Sequence, residues 1–162
     1  MKTIPLTQDK VALVDDADYE RVSQFKWCAY RPRSSHTFYA CRGVKRNGKW
    51  TTEQMHGFIL GHTGKTDHRD GNGLNNQWEN LRPATSAQNS RNRGKQINNR
   101  SGYKGVYPCH PDGRSWVARV RVHGKPIHFG TFANREDAAR AYDAGVLKIH
   151  GEFARLNFPV QK

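Results

Sequence analysis

Ser115-Trp116-Val117-Ala118-Arg119-Val120-Arg121-Val122-His123 changes character at every second residue. In a strand, that period puts Trp116, Ala118, Val120 and Val122 on one face and Val117, Arg119, Arg121 and His123 on the other. The stretches on either side, Tyr103 to Cys109 and Lys125 to Phe132, also read as strands. Pro111-Asp112-Gly113 and His123-Gly124 are the turns between them. Downstream, Asn134 to Ile149 reads as one helix, with Asn134 as N-cap, Glu136 and Asp137 in the first turn and Gly151 just past the end. Its apolar side is Ala138, Ala141, Tyr142, Gly145, Val146 and Ile149, small enough for close approach to a sheet. The pattern predicts a three-stranded antiparallel sheet packed on one helix, within an α+β chain. Arg119 and Arg121 then project from the uncovered face.

The chain around this stretch has 162 residues, with 27 Lys plus Arg against 14 Asp plus Glu, a net charge of +13. Aromatics at 10% and mixed charge exclude a disordered polyelectrolyte, and apolar runs as short as Phe58-Ile59-Leu60 exclude a membrane-spanning helix. The first twenty residues hold Asp9, Asp15, Asp16 and Asp18 and lack an apolar core, so no secretory signal is expected. Cys28, Cys41 and Cys109 make an odd set without a CxxC pair, which argues against a disulfide framework and four-ligand zinc sites. The expected setting is cytoplasmic, and the expected partner of so basic a chain is nucleic acid. No acidic residue occurs between Glu79 and Asp112, where Arg82, Arg91, Arg93, Lys95, Arg100 and Lys104 fall. Inside that gap, residues 94–100 are polar and read as a basic linker, either a solvated tether or one lying along phosphates. The expected domains are therefore 1–93 and 101–160.

In the first half, Lys10 to Val14 reads as a strand and Ala17 to Ser23 as a short helix. Phe25 to Arg31 and Thr37 to Gly43 read as a hairpin around Pro32 and Ser34-Ser35. Thr51 to Leu60 reads as a helix capped by Thr52 and stopped at Gly61. After His68, Asp70-Gly71 and Asn72-Gly73 force the chain back on itself, and a helix should begin after Pro83, with Thr85 and Gln88 as a capping box. This strand, loop, short strand and helix would bring Asp67, His68, Asn80 and Asn89 together. Such residues suit phosphodiester hydrolysis. Asp67 and the amide carbonyl of Asn89 offer hard oxygen ligands to Mg²⁺ or Mn²⁺, leaving positions for phosphate and water. A neutral His68 can take a proton from water as general base, and Asn80 can hold the loop or the His68 ring. His56 reads as a packed helical residue or as a phosphate contact.

Asp67-His68, Asn80-Leu81-Arg82 and Asn89 resemble the HNH homing endonucleases of the phage and intron-encoded type, with Asn89 in place of the final histidine. Ile4-Pro5-Leu6-Thr7, Ala12-Leu13-Val14-Asp15, Phe25-Lys26-Trp27 and Met55-His56 extend that likeness over roughly residues 3–93. The resemblance implies a ββα-metal (His-Me finger) unit. Ser101 to Val106, Trp116 to Val120, Phe129-Gly130-Thr131-Phe132, Ala138 to Asp143 and Asn157-Phe158-Pro159 resemble instead the DNA-binding domain of plant ethylene-response factors, the APETALA family, over residues 101–159. That second resemblance implies a sheet lying in the major groove, with Lys104, Tyr107, Arg119, Arg121 and His128 as its contacts. Lys104 and Arg121 keep the basic character of the plant domains. Arg119 stands where those domains usually carry an acid, and Tyr107 and His128 also depart, so sequence preference does not transfer.

From the sequence, the expected protein is a metal-dependent HNH endonuclease, homing-type and nicking. His68 and Asn80 are its catalytic residues and Asp67 and Asn89 its metal ligands. Arg82 and Arg93 join the carboxy-terminal contacts to double-stranded DNA. It would act as a monomer on DNA, away from membranes, in a bacterial host and phage-encoded. The alternative is a non-catalytic, sequence-specific DNA-binding regulator with a decayed nuclease unit. An RNA-binding protein fits less well, because the sheet lacks paired exposed aromatics for base stacking.

Overall fold

The computed structural model describes residues 1–33 and 35–159. Ser34, in the expected hairpin turn, and Val160, at the expected domain end, lie outside the described residues. The chain is a mixture of short helices and antiparallel sheets, divided into two units, Met1–Asn89 and Ser90–Lys162. The division falls before the expected boundary at residue 93.

In the first unit, β1 (Lys2–Pro5) pairs antiparallel with β2 (Val11–Val14), and Gln8 and Asp9 make the turn with positive φ of 61° and 51°. α1 (Asp16–Ser23) follows. β3 (Cys28–Tyr30), β4 (Tyr39–Arg46) and β5 (Lys49–Gln54) form a three-stranded sheet in that order. The last strand corrects a sequence expectation. Thr51 to Gln54 belong to β5, and only Met55–Leu60 is helical (α2). Asn47 and Gly48 both sit at positive φ, 50° and 76°, between two register-paired strands, so the chain folds back as a tight hairpin before any helix can begin. Gly61 does end α2, in the left-handed conformation. β6 (Thr66–His68) then pairs with β7 (Leu81–Pro83), and α3 (Ser86–Arg91) begins in this unit and runs past its last residue, Asn89. Thr85 and Gln88 exchange bonds as a capping box: the Thr85 amide donates to Gln88 Oε1 (2.8 Å) and the Gln88 amide to Thr85 Oγ1 (3.2 Å). Ile4, Ala12, Val14, Val22, Trp27, Ala40, Met55, Ile59 and Leu81 make the buried core of this unit.

In the second unit, β8 (Val106–Pro108), β9 (Trp116–Val122) and β10 (Lys125–Phe132) form an antiparallel meander. His123 and Gly124, both at positive φ, make the β9–β10 turn. β8 is shorter than Tyr103 to Cys109, because Gly102 and Gly105 at positive φ keep the entering chain in turns. α4 (Arg135–His150) lies on the sheet, capped by the Asn134 side chain accepting from the Asp137 amide (2.8 Å). Ala138, Ala139, Tyr142 and Val146 bury against Val106 and Ala118, whereas Ile149 is exposed at the helix end. Close approach depends on two glycines. A Cβ on Gly145 would collide with the Phe129 ring, and one on Gly105 with the Tyr142 ring. The polar stretch before the sheet is no bare tether. Asn99 Oδ1 accepts from Ser101 Oγ (3.0 Å) and the Gly102 amide (2.8 Å), and its Nδ2 donates to Tyr103 O (2.9 Å).

Candidate nucleic-acid interface

Two sets of residues were expected to carry chemistry, and the fold treats them differently. The first surrounds β6. Asp67 and Arg82 are register partners on β6 and β7, and both side chains are buried. Arg82 donates from Nε (2.8 Å) and Nη2 (2.6 Å) to the same carboxylate oxygen, Asp67 Oδ2. Asn80 ties the following loop: its Oδ1 accepts from the Asp70 amide (3.0 Å), and its Nδ2 donates to Asn75 O (2.7 Å) and Asp70 Oδ1 (3.0 Å). Asn89 donates from Nδ2 to Thr66 O (3.3 Å). The His68 ring is buried, its centroid 5.1 Å from that of His56 and 5.8 Å from that of Tyr39. His56 is therefore a packed residue. Burial, with His68 and His62 nearby, holds its imidazole down to about 3, and burial pushes His68 down as well, against hydrogen bonding to Asn76 and the charges of Asp70 and Asp67.

This cluster does not fit a divalent metal. Among the described residues, no group of three or more His, Cys, Asp or Glu is placed to hold one. The expected carboxylate ligand, Asp67, is committed to a buried guanidinium that already balances its charge. Arg82, buried in that pair, is likewise out of reach of a phosphate and leaves the expected DNA-contact set.

The second set lies on the β8–β9–β10 sheet. Residues directly opposite in an antiparallel pair share a face. Tyr107 faces Val117, Arg119 faces His128 and Arg121 faces Pro126. All of these lie on the side away from Ala118, which is fully buried under α4. Tyr107, Arg119, Arg121 and His128 are all exposed, so four of the expected contacts converge on one open face. The Arg119 guanidinium rests on the Tyr107 ring, 4.6 Å from its centroid, which restrains the end of the long side chain. Val117 shares this face as its alternation with Arg119 predicts, and register adds Pro126 and Thr131, positions that only the strand pairing of β10 reveals.

Lys104 does not join it. Its Nζ donates to the carbonyls of Arg91 and Arg93, and its own backbone amide donates to Asn157 Oδ1 (2.7 Å). Burial, reinforced by the Arg155 charge and opposed by Asp143, pulls its ammonium down to about 8. Lys104 is a fastener of the tail and the entering chain. Arg93 contributes a backbone acceptor to that clasp, and its side chain is exposed on the segment leading into the sheet.

Comparison with known proteins falls on this second set. An AP2/ERF and B3 domain-containing protein of rice is 46% identical over 59 residues, covering 36% of this chain and 16% of the relative. The AP2-like ethylene-responsive transcription factor CRL5 of rice is 44% identical over 64 residues, 38% of this chain and 10% of that protein. The AP2-like ethylene-responsive transcription factor AIL7 of Arabidopsis thaliana is 45% identical over 62 residues, 37% and 12%. Over that stretch the chain is similar to AP2/ERF-type DNA-binding domains. The chain thus matches between a tenth and a sixth of the length of these relatives. No family model matches the chain, and no solved structure does.

The relatives bear out the ethylene-response-factor resemblance and give no support to the HNH one. CRL5 and AIL7 are named as transcription factors, which overturns the expected enzyme and its cofactor: the homing-type endonuclease activity, for which His68 and Asn80 were the expected catalytic residues, and the Mg²⁺ or Mn²⁺ on Asp67 and Asn89. The phage origin and bacterial cytoplasm expected with the nuclease fall with it, since these relatives come from rice and Arabidopsis thaliana. No helix among the described residues is long and apolar enough to cross a membrane.

Proposed function

We propose that this protein is a sequence-specific DNA-binding regulator whose second unit lays the open face of β8–β9–β10 in the major groove. The observation that carries this reading is the convergence of Tyr107, Arg119, Arg121 and His128 on one exposed sheet face, sealed behind by α4, in a stretch similar to AP2/ERF-type domains. A narrow twisted sheet is a groove-sized element, and its forward-pointing arginines suit bidentate pairing with guanine O6 and N7 or a grip on phosphate. Arg119, restrained on Tyr107, is the better placed for base contact, because a side chain already held loses less freedom on binding. The net charge of +13 supplies the sequence-blind part of the affinity.

Selection of bound duplexes from a random double-stranded library tests this. A defined sequence should enrich, and it should bind roughly a thousandfold or more tighter than unselected duplex at physiological salt. Recovery of duplexes with no sequence in common would overturn the regulator reading and leave only charge-driven binding.

A further inference from the structure

Cys28 and Cys41 stand directly opposite each other in the β3–β4 pair. Ala29, the next residue of β3, reveals which kind of pair this is. Its amide donates to Thr7 Oγ1 (3.0 Å), and its carbonyl accepts from Gln8 Nε2 (2.9 Å). In an antiparallel ladder the N–H and C=O of one residue point to the same side, so Ala29 bonds away from β4 and its neighbour Cys28 bonds toward it. Cys28 and Cys41 are then a hydrogen-bonded pair, with Cα atoms about 5.5 Å apart, which falls at the usual separation for a disulfide. Both thiols lie on the face opposite Ala29 and Ala40, which are buried. Cys28 is exposed and Cys41 is half-buried. The remaining cysteine, Cys109, is in the other unit.

We propose that Cys28 and Cys41 are a redox-modification site, a dithiol that closes to a reversible disulfide when a hydroperoxide reaches the outer face of this sheet. The Cys28 thiolate attacks one peroxide oxygen. The O–O bond breaks, leaving a sulfenic acid on Cys28 and releasing water or an alcohol once the departing oxygen is protonated. Cys41 then attacks the Cys28 sulfur. The S–S bond forms, the S–O bond breaks, and hydroxide leaves with the Cys41 proton as water. Two thiols are oxidised to one disulfide by two electrons, and the peroxide is reduced. The order of attack follows exposure: Cys28 meets the oxidant, while burial pushes the Cys41 thiol up, as does the charge of a neighbouring Cys28 thiolate, which suits Cys41 to the resolving step. Cβ atoms in such a pair lie about 5.5 Å apart, about 1 Å beyond the upper end of the usual disulfide range. The closed bond is therefore strained and easily reduced, the behaviour of a switch and not of a framework. Closure would staple β3 to β4 two residues from Tyr39, whose ring packs against His56 and His68.

The test uses the full chain carrying Cys109→Ser, treated with hydrogen peroxide and followed by intact mass, thiol titration and peptide mapping. The expected product has lost about 2 Da and both remaining thiols, yields a Cys28–Cys41 linked peptide, and regains both thiols with dithiothreitol. With Cys41→Ser added, Cys28 has no resolving partner and should gain about 32 Da as sulfinic acid. Oxygen addition on Cys28 without the loss of about 2 Da while Cys41 is present, or linkage only between chains, would overturn the proposal.

Discussion

At the scale of single residues, Asp67 and Arg82 determine what the β6–β7 pair can do. Each is buried, and each neutralises the other, so neither can be lost alone without leaving an uncompensated charge in the interior. Arg82→Ala should destabilise the first unit by about 3–5 kcal/mol, read as a lowered urea midpoint at unchanged slope. A loss below 1 kcal/mol would mean that the pair is solvated. His56 makes a second prediction. Its folded value of about 3 lies below the ordinary histidine value, so between those limits the unfolded chain binds a proton that the folded chain refuses. Stability is therefore whole above about pH 6.5 and should fall on acidification by roughly 1.4 kcal/mol per pH unit from this group. Denaturation at pH 7.5 and pH 5 should show a larger loss for the wild type than for His56→Asn; equal losses would refute it. Neither partnership was legible in the sequence. Arg82 read as part of a basic run because its partner stands fifteen positions away, and only strand register sets the two opposite each other.

At the scale of elements, legibility followed the length and regularity of the pattern. The alternation of Trp116–Val122 and the capped, periodic helix Arg135–His150 were readable because each side chain is explained by one period and one face. The Thr85–Gln88 capping box was readable because its bonds span only three residues. A helical reading of Thr51–Leu60 fails at β5 because the spacing of Met55, Phe58 and Ile59 belongs only to the residues after the strand, while the Asn47-Gly48 turn sets the strand itself in a hairpin. Lys104 was misassigned for a different reason: its basic charge suits a phosphate, but the fold spends it on the carbonyls of Arg91 and Arg93. The tight seating of α4 on its sheet carries its own prediction. Gly105 combines a φ of 75° with a site filled by the Tyr142 ring. Gly105→Ala should therefore lower the melting temperature of the second unit, with a cost of about 1–3 kcal/mol from overpacking and added backbone strain. An unchanged melting temperature would show that helix and sheet have slack between them.

At the scale of the whole molecule, a basic chain of 162 residues holds two units with separate cores, and its recognisable kinship belongs to one of them. Charge alone predicts that the chain meets DNA. It does not predict where, because 27 basic residues are spread over both units and several are spent internally, Arg82 and Lys104 among them. The sheet face is what separates reading from mere attraction. The direct test compares the wild type with Arg119→Ala and Arg121→Ala by fluorescence anisotropy, on the selected duplex and on an unrelated one, across a salt series. The account predicts that each substitution weakens binding to the selected duplex by about 1–3 kcal/mol and leaves binding to the unrelated duplex far less affected, so that discrimination collapses. Equal affinity of wild type and both variants for the selected duplex at every salt concentration would contradict it.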